Sequence, residues 1–119
     1  MEVKIRPATR EDFMAFHGET WPRTCRAWAA EADGQLVALA GYALEPGYTY
    51  AFSVMKENHG LPTRLILREA RRLFAEMQKH RLPLVARANP ELPRAGKFLR
   101  SLGFRLLQPS LEGDIYQWN

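Results

Sequence analysis

The sequence predicts a mixed α/β fold in which strands and helices alternate along the chain. Apolar and polar side chains alternate over residues 3–7, the period of a half-buried strand, while apolar steps of three and four residues over 63–80 indicate a long helix. The dipeptide Asp33-Gly34 lies between two segments of strand length, which is typical of a tight hairpin. A length of 119 residues without repeats or linkers predicts a single domain over residues 1–119.

The first predicted strand, VKIRPA, ends close to Pro7, which cannot extend a hydrogen-bonded ladder. Thr9 and Asp12 then form the pattern of a capping box, which marks the start of a helix. This helix is short and is predicted to end near Gly18. The opening of the chain therefore reads as one strand followed by one helix.

The remaining elements follow in the order strand, strand, strand, helix, strand, helix, strand, strand. The two hairpin strands precede GYTYAFSVM, which is rich in strand-forming aromatic and β-branched residues. After the long helix, LPLVARAN is predicted as a buried strand and ELPRAGKFLRSLG as a short helix closed by Gly103. FRLLQ and DIYQW are predicted as the last two strands.

One face of the long helix is apolar and the other is rich in arginine. The apolar face predicts packing on a sheet, and it is formed by Ile66, Ala70, Leu73, Phe74 and Met77. The other face carries Arg64, Arg68, Arg71 and Arg72. Either it is a solvated face partly neutralised by Glu69 and Glu76, or it binds phosphate, nucleic acid or a protein.

Composition places the chain among ordinary globular proteins, with 46% hydrophobic and 25% charged residues. The apolar stretches are too short to cross a bilayer and the charged N-terminus does not resemble a signal peptide, so we expect a cytoplasmic protein. The single cysteine, Cys25, excludes an internal disulfide and a cysteine zinc cluster, and we predict that it packs in a strand. The net charge of +4 comes mainly from 13 arginines, which suit phosphate and carboxylate groups.

The order of elements resembles the GCN5-related N-acetyltransferase (GNAT) superfamily. The resemblance rests on IRPATREDFMAF at the start, a glycine-containing loop before the long helix, and RAGKFLRSLGF near the end, and it covers nearly the whole chain. It implies a GNAT-like α/β fold whose mixed sheet is mostly antiparallel, with about six or seven strands flanked by about three helices. It also implies acetyl transfer from acetyl-coenzyme A to an amine.

In that family the loop after the fourth strand has the pattern Arg or Gln, two residues, Gly, one residue, then Gly or Ala, and it binds the pyrophosphate of coenzyme A. The pattern falls here on residues 57–62, where only Gly60 matches well. Glu57 puts a negative charge where Arg or Gln is expected, and Pro62 removes an N–H donor. The loop is therefore a weakened coenzyme A site, a lost one, or a plain strand-to-helix turn. The resemblance implies these cofactor-binding residues: Val54, His59, Gly60, Leu61, Pro62, Thr63 and Arg64.

The usual catalytic acid of the family is missing from the matching position. Many members have a tyrosine there, in a pattern like LYEKLGF, but this sequence has Leu99, and the family's upstream asparagine falls near Leu92. His17 and Glu19, at the end of the first helix, are the candidates for the base that takes the amine proton, with surface side chains as the alternative. Four aromatic residues line an acceptor pocket or belong to the core: Trp21, Trp28, Tyr48 and Tyr50.

A narrower resemblance, to small GNAT-like proteins of tailed bacteriophages, rests on ANPELPRAGKFLRSLGF and on the degenerate cofactor loop. It implies a role in virion assembly and a location in the host cytoplasm or the virion.

Three hypotheses follow. The leading one is an acyl-coenzyme A dependent N-acyltransferase acting on a small-molecule or protein amine. The second is a GNAT-fold binding or assembly protein without catalysis, with a protein partner on the arginine-rich helix. Nucleic-acid binding by that helix ranks lowest, because no recognition motif or stacking platform accompanies it. No metal and no membrane partner is expected.

Overall fold

A computed structural model describes residues 2–17, 24–88 and 94–118. The elements found there follow the predicted order and confirm the mixed α/β class. They are β1 (Val3–Pro7), α1 (Arg10–His17), β2 (Cys25–Ala32), β3 (Gln35–Glu45), β4 (Tyr48–Met55), α2 (Thr63–Gln78), β5 (Leu84–Arg87), α3 (Ala95–Ser101), β6 (Arg105–Gln108) and β7 (Ile115–Trp118).

The strands form one seven-stranded sheet in the order β1-β2-β3-β4-β5-β7-β6. β4 and β5 are parallel, and the other neighbouring pairs are antiparallel. α2 makes the crossover between the two parallel strands, which a parallel pair requires. The predicted mixed, mostly antiparallel sheet with about three helices is therefore confirmed.

The tight hairpin between β2 and β3 has the geometry expected from its sequence. Asp33 and Gly34 adopt φ angles of 50° and 82°, so both central residues are left-handed, as in a type I′ turn. Ala32 and Gln35 face each other across the turn. The turn fixes which side chains of the two strands share a face.

The helices lie on opposite faces of the sheet. Phe13 of α1 packs with Cys25, Ala27 and Leu39, so α1 covers the β2 and β3 end of one face. Cys25 is buried in this cluster, as predicted for a packed strand residue. The opposite face is covered by α2 and α3, whose inward side chains include Leu73, Phe74, Leu99 and Leu102.

α2 has the predicted two faces. Met77 is fully buried against the sheet, while Arg64, Arg68, Arg71 and Arg72 are exposed. The helix ends at Gln78, two residues before the predicted end. The chain then turns through Arg81, whose φ is 55° and whose N–H donates to the Gln78 carbonyl over 3.0 Å.

β5 is shorter than predicted, spanning Leu84–Arg87 where the sequence indicated residues 82–89. The pairing with β7 nevertheless continues one residue beyond β5, since the Ala88 N–H donates to the Asp114 carbonyl over 2.9 Å in the register of Arg87 with Ile115. α3 begins at Ala95, and the start predicted for it near residue 91 lies outside the described residues. Its end matches the prediction, since Gly103 adopts a φ of 99°.

Candidate functional site

The central parallel strands separate halfway along β4. β4 and β5 pair at Thr49 with Leu84, at Tyr50 with Val85 and at Ala51 with Ala86, and no later pair joins them in the described chain. β4 nevertheless continues to Met55 and stays paired with β3 to its end. Residues 52–55 therefore present a strand edge to a gap on the β5 side, about 13 Å long at the usual rise per residue.

The loop after β4, residues 56–62, is fixed by its own hydrogen bonds. The His59 N–H donates to the Lys56 carbonyl over 3.1 Å, and Gly60 follows with a left-handed φ of 69°. The Leu61 N–H donates to Nδ1 of His59 over 2.8 Å, so the neutral imidazole carries its proton on Nε2. The Leu61 side chain is buried against Ala38, which anchors the loop on the sheet.

The start of α2 has no side-chain cap and no acidic residue in its first turn. The N–H groups of Leu65 and Ile66 donate to the Pro62 carbonyl over 3.0 and 3.1 Å. The N–H groups of Gly60, Thr63 and Arg64 have no hydrogen-bond acceptor within the described residues. Unpaired donors at the positive end of a helix dipole favour an anion.

Three features of the loop reduce the number or strength of its donors. Pro62 has no N–H, and the N–H of Leu61 is already used by His59, which the sequence did not indicate. The exposed Glu57 adds a negative charge three residues before Gly60. The loop therefore offers an anion the N–H groups of Gly60, Thr63 and Arg64, but none from Leu61 or Pro62.

Val54 lies on β4 beyond the last β5 pair, and its side chain packs on the α1 side of the sheet with Phe52. His59 is half-buried, and Pro62, Thr63 and Arg64 are exposed at the start of α2. The end of β4, the loop and the start of α2 therefore bring the predicted cofactor-binding residues together, next to the gap.

The predicted catalytic positions do not form a comparable group. Leu99 is 7% exposed and belongs to the core beneath α3, so this position supplies packing and no acid. His17 is the last residue of α1, and its side chain lies outside the described part of the chain. Glu19 and Leu92 also lie outside the described residues.

Tyr116 lies on β7, the last strand, as predicted for DIYQW, and it packs beneath α3. It is 2% exposed and pairs with Ala86 of β5. A Cβ on Gly96 would lie 2.5 Å from the Tyr116 hydroxyl, so the ring needs a glycine at this point of the helix. The Arg100 guanidinium lies 5.5 Å from the ring centroid, within reach of a cation–π contact.

Two of the four aromatic pocket candidates line a depression on the face opposite to α2 and α3. Tyr48 and Tyr50 belong to it, together with residues of β5 and β7. Trp28 lies elsewhere, packed with its ring centroid 6.5 Å from that of Tyr42 in the core. Trp21 lies outside the described residues. Of the two alternatives, Tyr48 and Tyr50 therefore lie in a surface depression and Trp28 packs against the core.

A buried tyrosine contacts a histidine at the far end of α2. The Tyr42 hydroxyl and Nε2 of His80 are 3.0 Å apart, and burial raises the pKa of Tyr42. α2 has 16 residues and is about 24 Å long, so this pair lies far from the loop that begins the helix. The contact therefore joins the end of α2 to β3 and takes no part in the gap.

Comparison with known proteins gives similarity in structure and none in sequence. No known protein family and no curated protein matches the sequence. The fold of the chain is that of the GNAT acetyltransferases.

Three solved structures illustrate this similarity. The ribosomal-protein-S18-alanine N-acetyltransferase of Escherichia coli aligns with a TM-score of 0.66 and 17% identity, over 98% of this chain and 91% of that one. An acetyltransferase of the GNAT family from Staphylococcus aureus gives 0.69 and 12%, over 99% of both chains. The Campylobacter jejuni N-acetyltransferase PseH, in complex with acetyl coenzyme A, gives 0.63 and 11%, over 99% of both.

The helices of the described residues include none that is long and apolar enough to cross a membrane. In the same part of the chain, no three His, Cys, Asp or Glu side chains are grouped so that they could hold a metal ion.

Proposed function

We propose that this chain is an acyl-coenzyme A dependent N-acyltransferase that moves an acetyl group from acetyl-coenzyme A to an amine. The observation that carries the proposal is the separation of β4 from β5 next to the loop that leads into α2. The pantetheine arm of coenzyme A contains two amides, which can pair with the free edge of β4 as an added strand would. The PseH structure, in complex with acetyl coenzyme A, has the same fold.

The pyrophosphate is assigned to the start of α2. The N–H groups of Gly60, Thr63 and Arg64 are the donors, and the helix dipole and the Arg64 guanidinium add positive charge. His59, Leu61 and Pro62 shape the loop, and Val54 borders the gap. Because the loop has lost donors at Leu61 and Pro62, we expect binding weaker than a full set of donors would give.

The reaction needs the amine to attack the thioester carbon, after which the carbon–sulfur bond breaks and the thiolate takes up a proton. His17, the last residue of α1, and Glu19, two residues later in the sequence, stay the proposed bases for the amine proton. The departing thiolate lacks the acid that a tyrosine at position 99 would supply, so its protonation by water is expected to limit the rate.

Calorimetric titration with acetyl-coenzyme A, together with thermal unfolding, tests this proposal. A ligand at 100 times its dissociation constant should add about 2.7 kcal/mol of stability. The matched pair Arg64→Gln and Arg68→Gln removes one exposed arginine each from α2, and only the first should weaken binding. No stabilisation at millimolar acetyl-coenzyme A would refute the proposal.

The absence of the acid favours a second candidate, a GNAT-fold binding protein without catalysis. Leu99 is buried in a packed core and offers no proton. The exposed arginines of α2 would then contact an acidic partner. Acetyl-coenzyme A binding without transfer to any amine would support this candidate, and transfer to one amine would exclude it.

A further inference from the structure

The depression on the face of the sheet opposite to α2 lies across four neighbouring strands, β4, β5, β7 and β6. Its volume is about 460 Å³, and its lining includes Tyr48, Tyr50, Val85, Arg87, Ile115 and Gln117. Tyr50, Val85 and Gln117 are direct neighbours across β4, β5 and β7, so their side chains project from the same face. Phe13 of α1 packs over β2 and β3 and contacts Phe52 of β4, with ring centroids 5.9 Å apart, so α1 covers the neighbouring part of this face.

One end of the depression, at Arg87, borders the start of the gap between β4 and β5, on the face opposite to α2. Ala51 and Ala86, the last pair of the two strands, point toward the α2 and α3 side and belong to its core. Tyr50 and Arg87 are their chain neighbours and therefore point to the other face, into the depression. A ligand with one end at Arg87 would lie at the start of the gap, from which the free edge of β4 leads toward the α2 loop.

Arg87 gives this depression its charge. One of its N–H groups donates to a Glu112 carboxylate oxygen over 3.2 Å, and a guanidinium has five such donors. The arginine stem lies against Gly113, where a Cβ would come within 2.8 Å of Cγ. The Arg87 side chain is 37% exposed and that of Glu112 is 82% exposed, so a ligand carboxylate could compete with Glu112 for the guanidinium.

The other described lining residues are aromatic, apolar or neutral, and none of them is a carboxylate. A polyamine is disfavoured, because its ammonium groups would be repelled by Arg87 and would find no carboxylate among the described lining residues. A ligand carboxylate would instead pair with the Arg87 guanidinium at the end next to the gap, and an apolar body would lie along Tyr50 and Tyr48.

We infer that the depression is the acceptor subsite and that it takes an α-amino acid with an apolar or aromatic side chain. This inference rests on the proposed acyltransferase function. A carboxylate bound at Arg87 places the amine on the adjacent carbon at the gap. The amine nitrogen bonds to the thioester carbon, the carbon–sulfur bond breaks, and the proton lost by nitrogen ends on the thiol of coenzyme A.

Three probe amines test the inference by release of free thiol from acetyl-coenzyme A. They are L-phenylalanine, phenethylamine, which has the same body without the carboxylate, and spermidine. We expect kcat/KM for phenylalanine to exceed the other two by about tenfold or more, the effect of one good charge-assisted contact. A preference for phenethylamine or spermidine, or transfer to none of the three, would overturn the inference.

Variants at the ion pair sharpen the test because their expected effects have opposite signs. Arg87→Gln should lower kcat/KM for phenylalanine by about tenfold and leave phenethylamine unchanged, whereas Glu112→Gln should raise it for phenylalanine. Arg72→Gln, on the other side of the sheet, is the matched control and should change neither. Equal losses with both amines in Arg87→Gln would contradict carboxylate recognition.

Calorimetry with acetyl-coenzyme A alone distinguishes a failure of the acceptor assignment from a failure of the proposed function. If the cofactor binds and none of the probes is acetylated, the acceptor assignment fails while the cofactor site stands. If the cofactor does not bind, the proposed function itself fails. Thermal unfolding of each variant shows whether a loss of transfer comes from a loss of fold.

Discussion

The Arg6 guanidinium holds the Asp12 carboxylate through two parallel hydrogen bonds, of 2.7 and 3.0 Å, and so ties β1 to the first turn of α1. Asp12 also accepts the N–H of Thr9 over 2.7 Å, and its own N–H donates to the Thr9 hydroxyl over 3.3 Å. The predicted capping box is therefore present, and Glu31 of β2 joins it by a second ion pair with Arg6. The network fixes α1 on the sheet with a nearly buried carboxylate.

Asp12→Asn should lower the free energy of unfolding at pH 7 by about 2 kcal/mol. The hydrogen bonds from Arg6 lower the pKa of Asp12 from 3.8 to about 2, and a difference of nearly two units corresponds to about that energy. A lowered folded-state pKa gives stability that is complete above pH 4 and is lost as the pH falls toward 2. Urea unfolding of both proteins from pH 7 to pH 2 should show the difference shrinking over that interval.

The control for this prediction is Glu11→Gln, an exposed carboxylate in the same first turn of α1. We expect it to cost only a few tenths of a kcal/mol through the helix dipole. Similar losses in the two variants, or a difference between Asp12→Asn and wild type that persists at pH 2, would contradict the role given to the Arg6 contact.

Gly96→Ala should destabilise the wild-type protein by about 1 to 2 kcal/mol, since the new Cβ would overlap the Tyr116 hydroxyl at 2.5 Å. In a Tyr116→Phe background the nearest ring carbon is 3.4 Å away, an ordinary contact. The same substitution should then be neutral or stabilising by about 0.5 kcal/mol, because alanine is the better helix former. Thermal unfolding of the four proteins in this cycle measures the coupling, and additive effects would show that the hydroxyl is not the obstacle.

His59→Ala should cost about 1 to 2 kcal/mol of stability. The buried residue Leu61 loses the acceptor of its N–H, which His59 Nδ1 provides at 2.8 Å, and an unpaired buried donor carries a desolvation penalty. His59→Asn is the matched variant, because an asparagine side chain can accept the N–H two residues later in an Asx turn. It should retain most of the stability in urea unfolding; equal losses in the two variants would argue against this hydrogen bond.

The local signals in the sequence were sufficient for most of the fold. The Asp33-Gly34 turn, the capping box of Thr9 and Asp12, and the periodicity of α2 depend on residues close in the chain, so a pattern can reveal them. The position of the loop around Gly60 followed from the same reasoning. These features required no knowledge of which strands pair.

The features that define the candidate site depend on contacts between distant residues. The gap lies where β4 stays paired with β3 to Met55 while its pairing with β5 ends at Ala51. Tyr50 and Arg87 share a face only through the register of β4 and β5. The use of the Leu61 N–H by His59 is a matter of side-chain geometry within the loop. No spacing in the sequence encodes these contacts.

Glu57→Gln and Pro62→Ala should each tighten acetyl-coenzyme A binding, since they reverse the two departures that weaken the loop. A unit charge about 8 Å from a phosphate contributes roughly 0.5 kcal/mol in water, so removing the Glu57 charge should lower Kd about twofold to threefold at low salt and less at high salt. Pro62→Ala restores an N–H at the start of α2 and should lower Kd further, while costing about 0.5 to 1 kcal/mol of stability through greater freedom of the unfolded chain.

Calorimetric titration of the two single variants and the double variant at two salt concentrations measures these effects. Glu45→Gln is the matched control, because this exposed glutamate ends β3 at the opposite end of the strands from the loop. It should leave Kd unchanged at both salt concentrations. Weaker binding in Glu57→Gln, or a gain of equal size in Glu45→Gln, would mean that the phosphates do not lie at residues 57–64.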